Sequence, residues 1–263
     1  MSIKIVIGLF DSGMGGLSVW QQLRENLPNE SLIFFGDGLR CPYGSRSEKE
    51  VLEFTVEGVE RLIEESCRLI VVACNTATAV AIDYLREHYP NIPFVGLEPA
   101  VKPAALTTKS GVVAVLATER SLKGRLFVQT SAKYEDKVKI IKAVGEGFVE
   151  IVEQGREHTA EAKSAVERVV EPLIAAGADK IVLGCTHYPF LRETIEGVIG
   201  GRDVEVIDSG SAVCRRVAQL LDEHNLRADA DAVASYRFKT LADDDYLKRV
   251  ESRAYGCSSE AKA

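Results

Sequence analysis

No stretch of this 263-residue chain approaches the run of about 20 apolar residues that a membrane-crossing helix needs. A long basic run is also missing and the net charge is −7, which argues against a nucleic-acid surface as partner. If the ligand is an anion, backbone N–H groups and helix starts must hold it locally. The six cysteines, at 41, 67, 74, 185, 214 and 257, include no C-x-x-C, and the four histidines lack ligand spacing. Neither pattern suits a structural zinc site. Residues 1–10 carry one lysine and no small-residue cleavage site, so they are expected to form a first strand rather than a secretory leader. Six cysteines without such a leader imply a reducing, cytoplasmic setting and no disulfide framework. No G-K-S/T occurs, and Ser18 stands where the last glycine of G-x-G-x-x-G would fall. A nucleotide loop after Gly13 is therefore weakly supported.

The chain does contain enough for an ordinary core, with 46% hydrophobic and 27% charged residues. Its length leaves one large or two small domains open. Leu69 to Thr78 reads L-I-V-V-A-C-N-T-A-T, and Ile181 to Pro189 reads I-V-L-G-C-T-H-Y-P. Each is an apolar run without alternation, suited to a strand buried on both faces. Each ends in a thiol, followed by amide, hydroxyl or imidazole groups. In open α/β sheets ligands bind at that carboxyl edge.

Around these runs the pattern predicts strands at Lys4–Phe10, Leu32–Phe35, Leu69–Ala73, Pro93–Leu97, Val112–Ala117, Lys137–Ala143, Lys180–Leu183 and Val204–Ile207. Helices are predicted over Leu17–Leu27, from a Ser47/Glu50 capping box to about Cys67, up to Tyr89, and over Glu161–Ala176 and Gly210–His224. Ala234–Thr240 alternates like an exposed or edge strand, Asp243–Tyr255 suits a helix, and Gly256–Ala263 is expected to fray. Strands alternating with helices imply an α/β fold with mainly parallel sheets joined by right-handed crossovers and flanked by helices. Asp11-Ser12-Gly13 recurs as Asp208-Ser209-Gly210. With the two cysteine runs this suggests two similar domains: residues 1–97 plus 208–263, carrying Asp11 and Cys74, and residues 98–207, carrying Cys185 and His187. The two crossings would suit a hinge.

Two thiols on opposite sides of one carbon can remove a proton from one face and return it at the other. One must start as thiolate, which helix starts and nearby donors favour. Asn75 and Thr76, with Thr186 and His187, are candidate donors to an α-carboxylate, spreading charge in a carbanion-like transition state. Asp11 and His187 are candidate proton-transfer partners. A lone cysteine in apolar sequence is usually filler, and Cys41, Cys67, Cys214 and Cys257 are left as packing or surface residues. His88, His158 and His224 lie in charged contexts and are expected to be solvated. Asp11-Ser12-Gly13 also reads as a helix cap, and Pro42-Tyr43-Gly44 as a simple turn.

D-S-G-x-G-G at Asp11–Gly16, C-P-Y-G at Cys41–Gly44, A-C-N-T-A-T at Ala73–Thr78 and L-G-C-T-H-Y-P at Leu183–Pro189 together resemble the glutamate racemases. These belong to the cofactor-independent aspartate/glutamate racemase group. The resemblance covers nearly the whole chain in order and spacing. It implies two α/β domains around an interdomain site and interconversion of L- and D-glutamate for peptidoglycan. It also implies no cofactor or metal, and a homo-oligomer, commonly a dimer. Cys74 then looks like the base for D-glutamate, assisted by Asp11, and Cys185 like the base for L-glutamate, assisted by His187. Asn75, Thr76 and Thr186 fall where the family binds substrate near its α-carbon. Ser12, Pro42, Tyr43 and Gly44 fall where binding is completed. Glu153 matches an acidic residue in a V-E-x-G segment. The prolines that many members carry ahead of that segment are absent, and Glu150 stands as an alternative. An aspartate racemase, a non-catalytic anion-binding protein and a thiol redox couple are the rival readings.

Overall fold

The computed structural model describes residues 6–256. Lys4, Ile5, Cys257 and the rest of the tail expected to fray lie outside the described residues. The chain divides into two compact units, Met1–Gly96 with Gly210–Ala263, and Leu97–Ser209.

In chain order the first unit opens with β1 (Val6–Asp11), α1 (Leu17–Asn26), β2 (Ser31–Gly36), α2 (Glu48–Glu64), β3 (Cys67–Val72), α3 (Asn75–His88) and β4 (Phe94–Gly96). The second unit holds α4 (Val101–Thr107), β5 (Val112–Ala117), α5 (Glu119–Lys123), α6 (Arg125–Ala132), β6 (Lys139–Val144), α7 (Phe148–Glu153), α8 (Ala160–Ala175), β7 (Lys180–Gly184), α9 (Arg192–Ile199) and β8 (Glu205–Ile207). The chain then returns to the first unit as α10 (Gly210–Glu223), β9 (Tyr236–Thr240) and α11 (Asp244–Ala254).

Both sheets are parallel throughout, with strand orders β4-β3-β1-β2-β9 and β6-β5-β7-β8. Every residue of β1 and β2 is buried, as is all of β3 except Arg68. Burial on both faces is why these strands read as apolar runs without alternation. In the second unit Val101 and Ala104 of α4 meet Val113, Val115, Phe127, Val138 and Val182 in one core cluster.

Three expectations are revised. The capping box of Ser47 and Glu50 starts α2, but the helix ends at Glu64 and not near Cys67. Ser66 takes a left-handed φ of 64°, which turns the chain so that Cys67 opens β3. Burial pushes the Cys67 thiol up to about 12, consistent with an inert packing residue. The strand expected over Pro93–Leu97 shrinks to Phe94–Gly96.

The third revision concerns the repeat. Reading the first sheet as β2-β1-β3-β4 and the second as β6-β5-β7-β8 superposes their topologies, so β1 corresponds to β5 and β4 to β8. Asp11 ends β1, whereas Asp208 follows β8. The recurring D-S-G is therefore not a pair of equivalent sites. The cysteines are: Cys74 follows β3, and Cys185 follows β7, its counterpart.

Among the described residues the edge strand β9 has no counterpart in the second sheet. It pairs with β2 and is backed by α11. Trp20 of α1 is fully buried among Tyr236, Phe238 and Tyr255, with ring centroids 5.2 to 5.8 Å away.

Candidate active site

In the first unit the carboxyl ends of β1, β2 and β3 carry the polar groups. Asp11 is fully buried, and its Oδ2 accepts a hydrogen bond from the Gly13 N–H at 2.9 Å. The glycine-rich loop can lie this close because a Cβ on Gly16 would sit 2.7 Å from Asp11 Cβ. Cys74 is the N-cap of α3 and is 5% exposed. Its Sγ accepts from the Ala77 N–H at 3.4 Å and lies 3.4 Å from Ser12 Oγ, to which the thiol donates. A sulfur in this position faces the positive end of a helix dipole, which favours thiolate. Asn75 and Thr76 form the first residues of α3, both buried. Asn75 Nδ2 has no hydrogen-bond partner among the described residues. A buried donor without a partner is costly and points to a ligand or water that completes it.

Tyr43 begins a short 3-10 turn that packs on α3. Pro42, joined to Cys41 by a cis peptide, and Gly44 flank it half-buried. The Tyr43 phenol donates to Asp37 Oδ2 at 2.5 Å. Burial, then the Asp37 carboxylate, pushes this phenol well above its ordinary value, so it remains a donor. Asp37 also accepts from Arg40 Nε at 2.6 Å. Sequence reasoning missed both residues. A signal existed, since Asp37 directly follows the buried β2, on the ligand-binding edge.

In the second unit Cys185 follows Gly184 at the end of β7 and is 7% exposed. A Cβ on Gly184 would lie 2.9 Å from Ala117 Cβ, so only glycine lets β7 approach β5 this closely at its end. Cys185 Sγ is 3.8 Å from His187 Nδ1, and His187 Nε2 is 2.6 Å from Glu153 Oε1. His187 and Thr186 are buried, and the Glu153 side chain is 15% exposed. Glu150, the alternative acid, is exposed; Glu153 is the residue that reaches His187. The histidine thus bridges a thiol and a carboxylate, the arrangement that lets one ring nitrogen exchange a proton while the other is anchored. Tyr188 is fully buried, edge-on to Phe148 at 5.2 Å, and its phenol donates to the Gly145 carbonyl at 3.4 Å. Burial first, and the Cys185 sulfur next, raise that phenol well above its ordinary value.

The first unit therefore gathers Asp11, Ser12, Tyr43, Cys74, Asn75 and Thr76, and the second gathers Cys185, Thr186, His187 and Glu153. Of the histidines set aside, His88, His158 and His224 are exposed.

A family model described as Asp/Glu/Hydantoin racemase matches residues 13–217. The glutamate racemase of Herpetosiphon aurantiacus is 44% identical over 244 residues, covering 93% of this chain and 95% of that protein. That of Ectopseudomonas mendocina is 44% identical, covering 93% of this chain and 92% of that protein. Among solved structures, glutamate racemase isoform RacE1 from Bacillus anthracis is similar with a TM-score of 0.84 at 32% identity, over 96% of this chain and 94% of that one. Escherichia coli glutamate racemase, in complex with L-glutamate and the activator UDP-MurNAc-Ala, gives a TM-score of 0.84 at 33% identity, over 95% of each chain. The chain belongs to the Asp/Glu/hydantoin racemase family and, within it, to the glutamate racemases. Among the described residues no helix is long and apolar enough to cross a membrane.

Proposed function

We propose that this chain interconverts L- and D-glutamate by a two-base mechanism and supplies D-glutamate for peptidoglycan. The observation that carries the reading is the pair of buried cysteines at topologically equivalent strand ends, each with its own proton-handling neighbours. In the forward sense the Cys185 thiolate takes the α-proton of L-glutamate while the Cys74 thiol delivers one to the opposite face. The reverse turnover starts with the charges exchanged. Cys74 is the base for D-glutamate, with Asp11 beside it. His187, anchored by Glu153, serves Cys185.

Asn75, Thr76 and Thr186 donate to the α-carboxylate, where negative charge delocalises as the Cα–H bond breaks. Ser12 and the Pro42-Tyr43-Gly44 turn complete substrate binding. The domains are 1–97 plus 208–263 and 98–207, with the substrate held between them. The enzyme works in the cytoplasm as a homo-oligomer, a dimer, with glutamate as its small-molecule substrate and without cofactor or metal.

Circular dichroism started from pure L-glutamate, then from pure D-glutamate, is the direct assay. Both runs are expected to decay to zero ellipticity with no cofactor added. Aspartate in parallel separates the two amino-acid substrates. In deuterated water, label should enter the α-position, which a binding protein would not achieve. Loss of activity on exhaustive chelation would overturn the metal-free reading.

A further inference from the structure

Beneath the Tyr43 turn lies a charged network that the proposed mechanism does not use. Arg40 is only 18% exposed at its side chain, donates from Nε to Asp37 Oδ2 at 2.6 Å and from Nη1 to Glu57 Oε2 at 2.7 Å. Its guanidinium sits 4.2 Å from the centroid of Phe54, whose ring lies 5.8 Å from that of Tyr43. At the far end of the turn, Arg46 returns, donating from Nη2 to the Arg40 carbonyl at 3.2 Å and from its backbone N–H to the Tyr43 carbonyl at 3.1 Å. The segment 40–46 is thus closed on itself and pinned at one point to Asp37, just past the end of β2, and at another to Glu57 of α2.

We infer that Arg40 is a positioning residue: it holds the Asp37 carboxylate against the Tyr43 phenol and thereby sets the Pro42-Tyr43-Gly44 turn beside α3, the helix that Cys74 caps. The inference rests on the reading that this turn binds substrate. Asp37 is fully buried, and its Oδ1, like Arg40 Nη2, has no hydrogen-bond partner among the described residues. The carboxylate therefore depends on Arg40 for its countercharge, and removing that partner leaves a buried charge uncompensated, which loosens its hold on the turn. Glu57 does not depend on Arg40 in the same way, because Arg61 also donates to it at 3.0 Å. A lysine cannot replace the guanidinium, since bridging two carboxylates while lying on an aromatic face requires the planar fork.

The test uses Arg40→Gln, Arg40→Lys and Tyr43→Phe in the full-length enzyme. Arg40→Lys keeps the charge and guards against a variant that fails to fold. Loss of one charge-assisted bond predicts KM for glutamate rising about ten-fold in both directions for either Arg40 variant, with kcat changing much less. The Arg40→Gln/Tyr43→Phe double variant is expected to be no worse than the poorer single one, the non-additivity of a shared network. Amide hydrogen exchange over 41–46 should speed up in Arg40→Gln whatever substrate the wild type accepts. Exchange therefore tests the clamp even if glutamate is not racemised. Unchanged exchange, unchanged KM in an enzyme that does racemise glutamate, or additive effects in the double variant would each overturn the inference.

Discussion

Cys74 and Cys185 end corresponding strands of two parallel sheets, yet they sit in different electrostatic surroundings. Cys74 caps a helix of 14 residues and receives a backbone N–H. Cys185 is followed by a 3-10 turn of four residues and leans on an imidazole that is itself anchored by Glu153. The first thiol draws on fixed backbone dipoles, which do not titrate; the second draws on a side chain that does. Topological equivalence therefore placed two sulfurs at the same point of two sheets without giving them the same chemistry. A reaction that needs one thiolate and one thiol at the start of each turnover has reason to keep them different.

The largest effect expected from breaking this comparison is symmetrical. Cys74→Ala and Cys185→Ala should each abolish racemisation from either enantiomer, with far-UV circular dichroism and the thermal midpoint close to wild type. Full turnover by either variant would remove the two-base reading altogether. Sharpening the comparison requires variants that touch one thiol only. His187→Gln is expected to lower kcat by about 10² or more, the usual contribution of a positioned acid–base group. It should slow iodoacetamide labelling of Cys185 and leave Cys74 unaffected. Glu153→Gln should shift Cys185 labelling in the same direction by less, while Ser12→Ala should change Cys74 alone. Mass spectrometry of the two cysteine peptides reads all three outcomes in one experiment, and equal changes at both sulfurs would contradict the separation.

The thiol strands were legible in the sequence because burial on both faces leaves an unbroken apolar run, and Val112–Ala117 was read with its observed bounds for the same reason. The Ser47/Glu50 cap was legible because its two residues meet within one helical turn. What escaped depended on contacts remote in sequence or on backbone sign. The end of α2 turns on the left-handed Ser66, a residue type with no strong preference for that conformation. The D-S-G recurrence misled because identical letters followed strands with different places in their sheets. The contact between Glu153 and His187 joins α7 to the end of β7, and no local pattern encodes it; the family resemblance alone pointed to Glu153. Asp37 and Arg40 went unread because their role exists only once Tyr43 has folded back onto the end of β2.

A smaller effect, within the second unit, concerns stability. Asp179, just ahead of β7, accepts from Thr108 Oγ1 at 2.5 Å, Lys109 N–H at 2.6 Å and Ser110 N–H at 2.9 Å, locking the turn that leads into β5. Burial by itself would raise its carboxyl, but these donors outweigh it and bring the carboxyl from 3.8 down to about 2. A carboxylate with a depressed folded-state value binds protons less readily when folded than when unfolded. Its stabilisation is therefore complete above the unfolded value and is lost as pH falls through the folded one. Between pH 4 and pH 2, Asp179→Asn should thus flatten the fall of the urea midpoint with pH, and at pH 7 it should cost modest stability with the kinetics unchanged. An acid limb identical in variant and wild type would show that the Asp179 lock does not contribute to acid sensitivity.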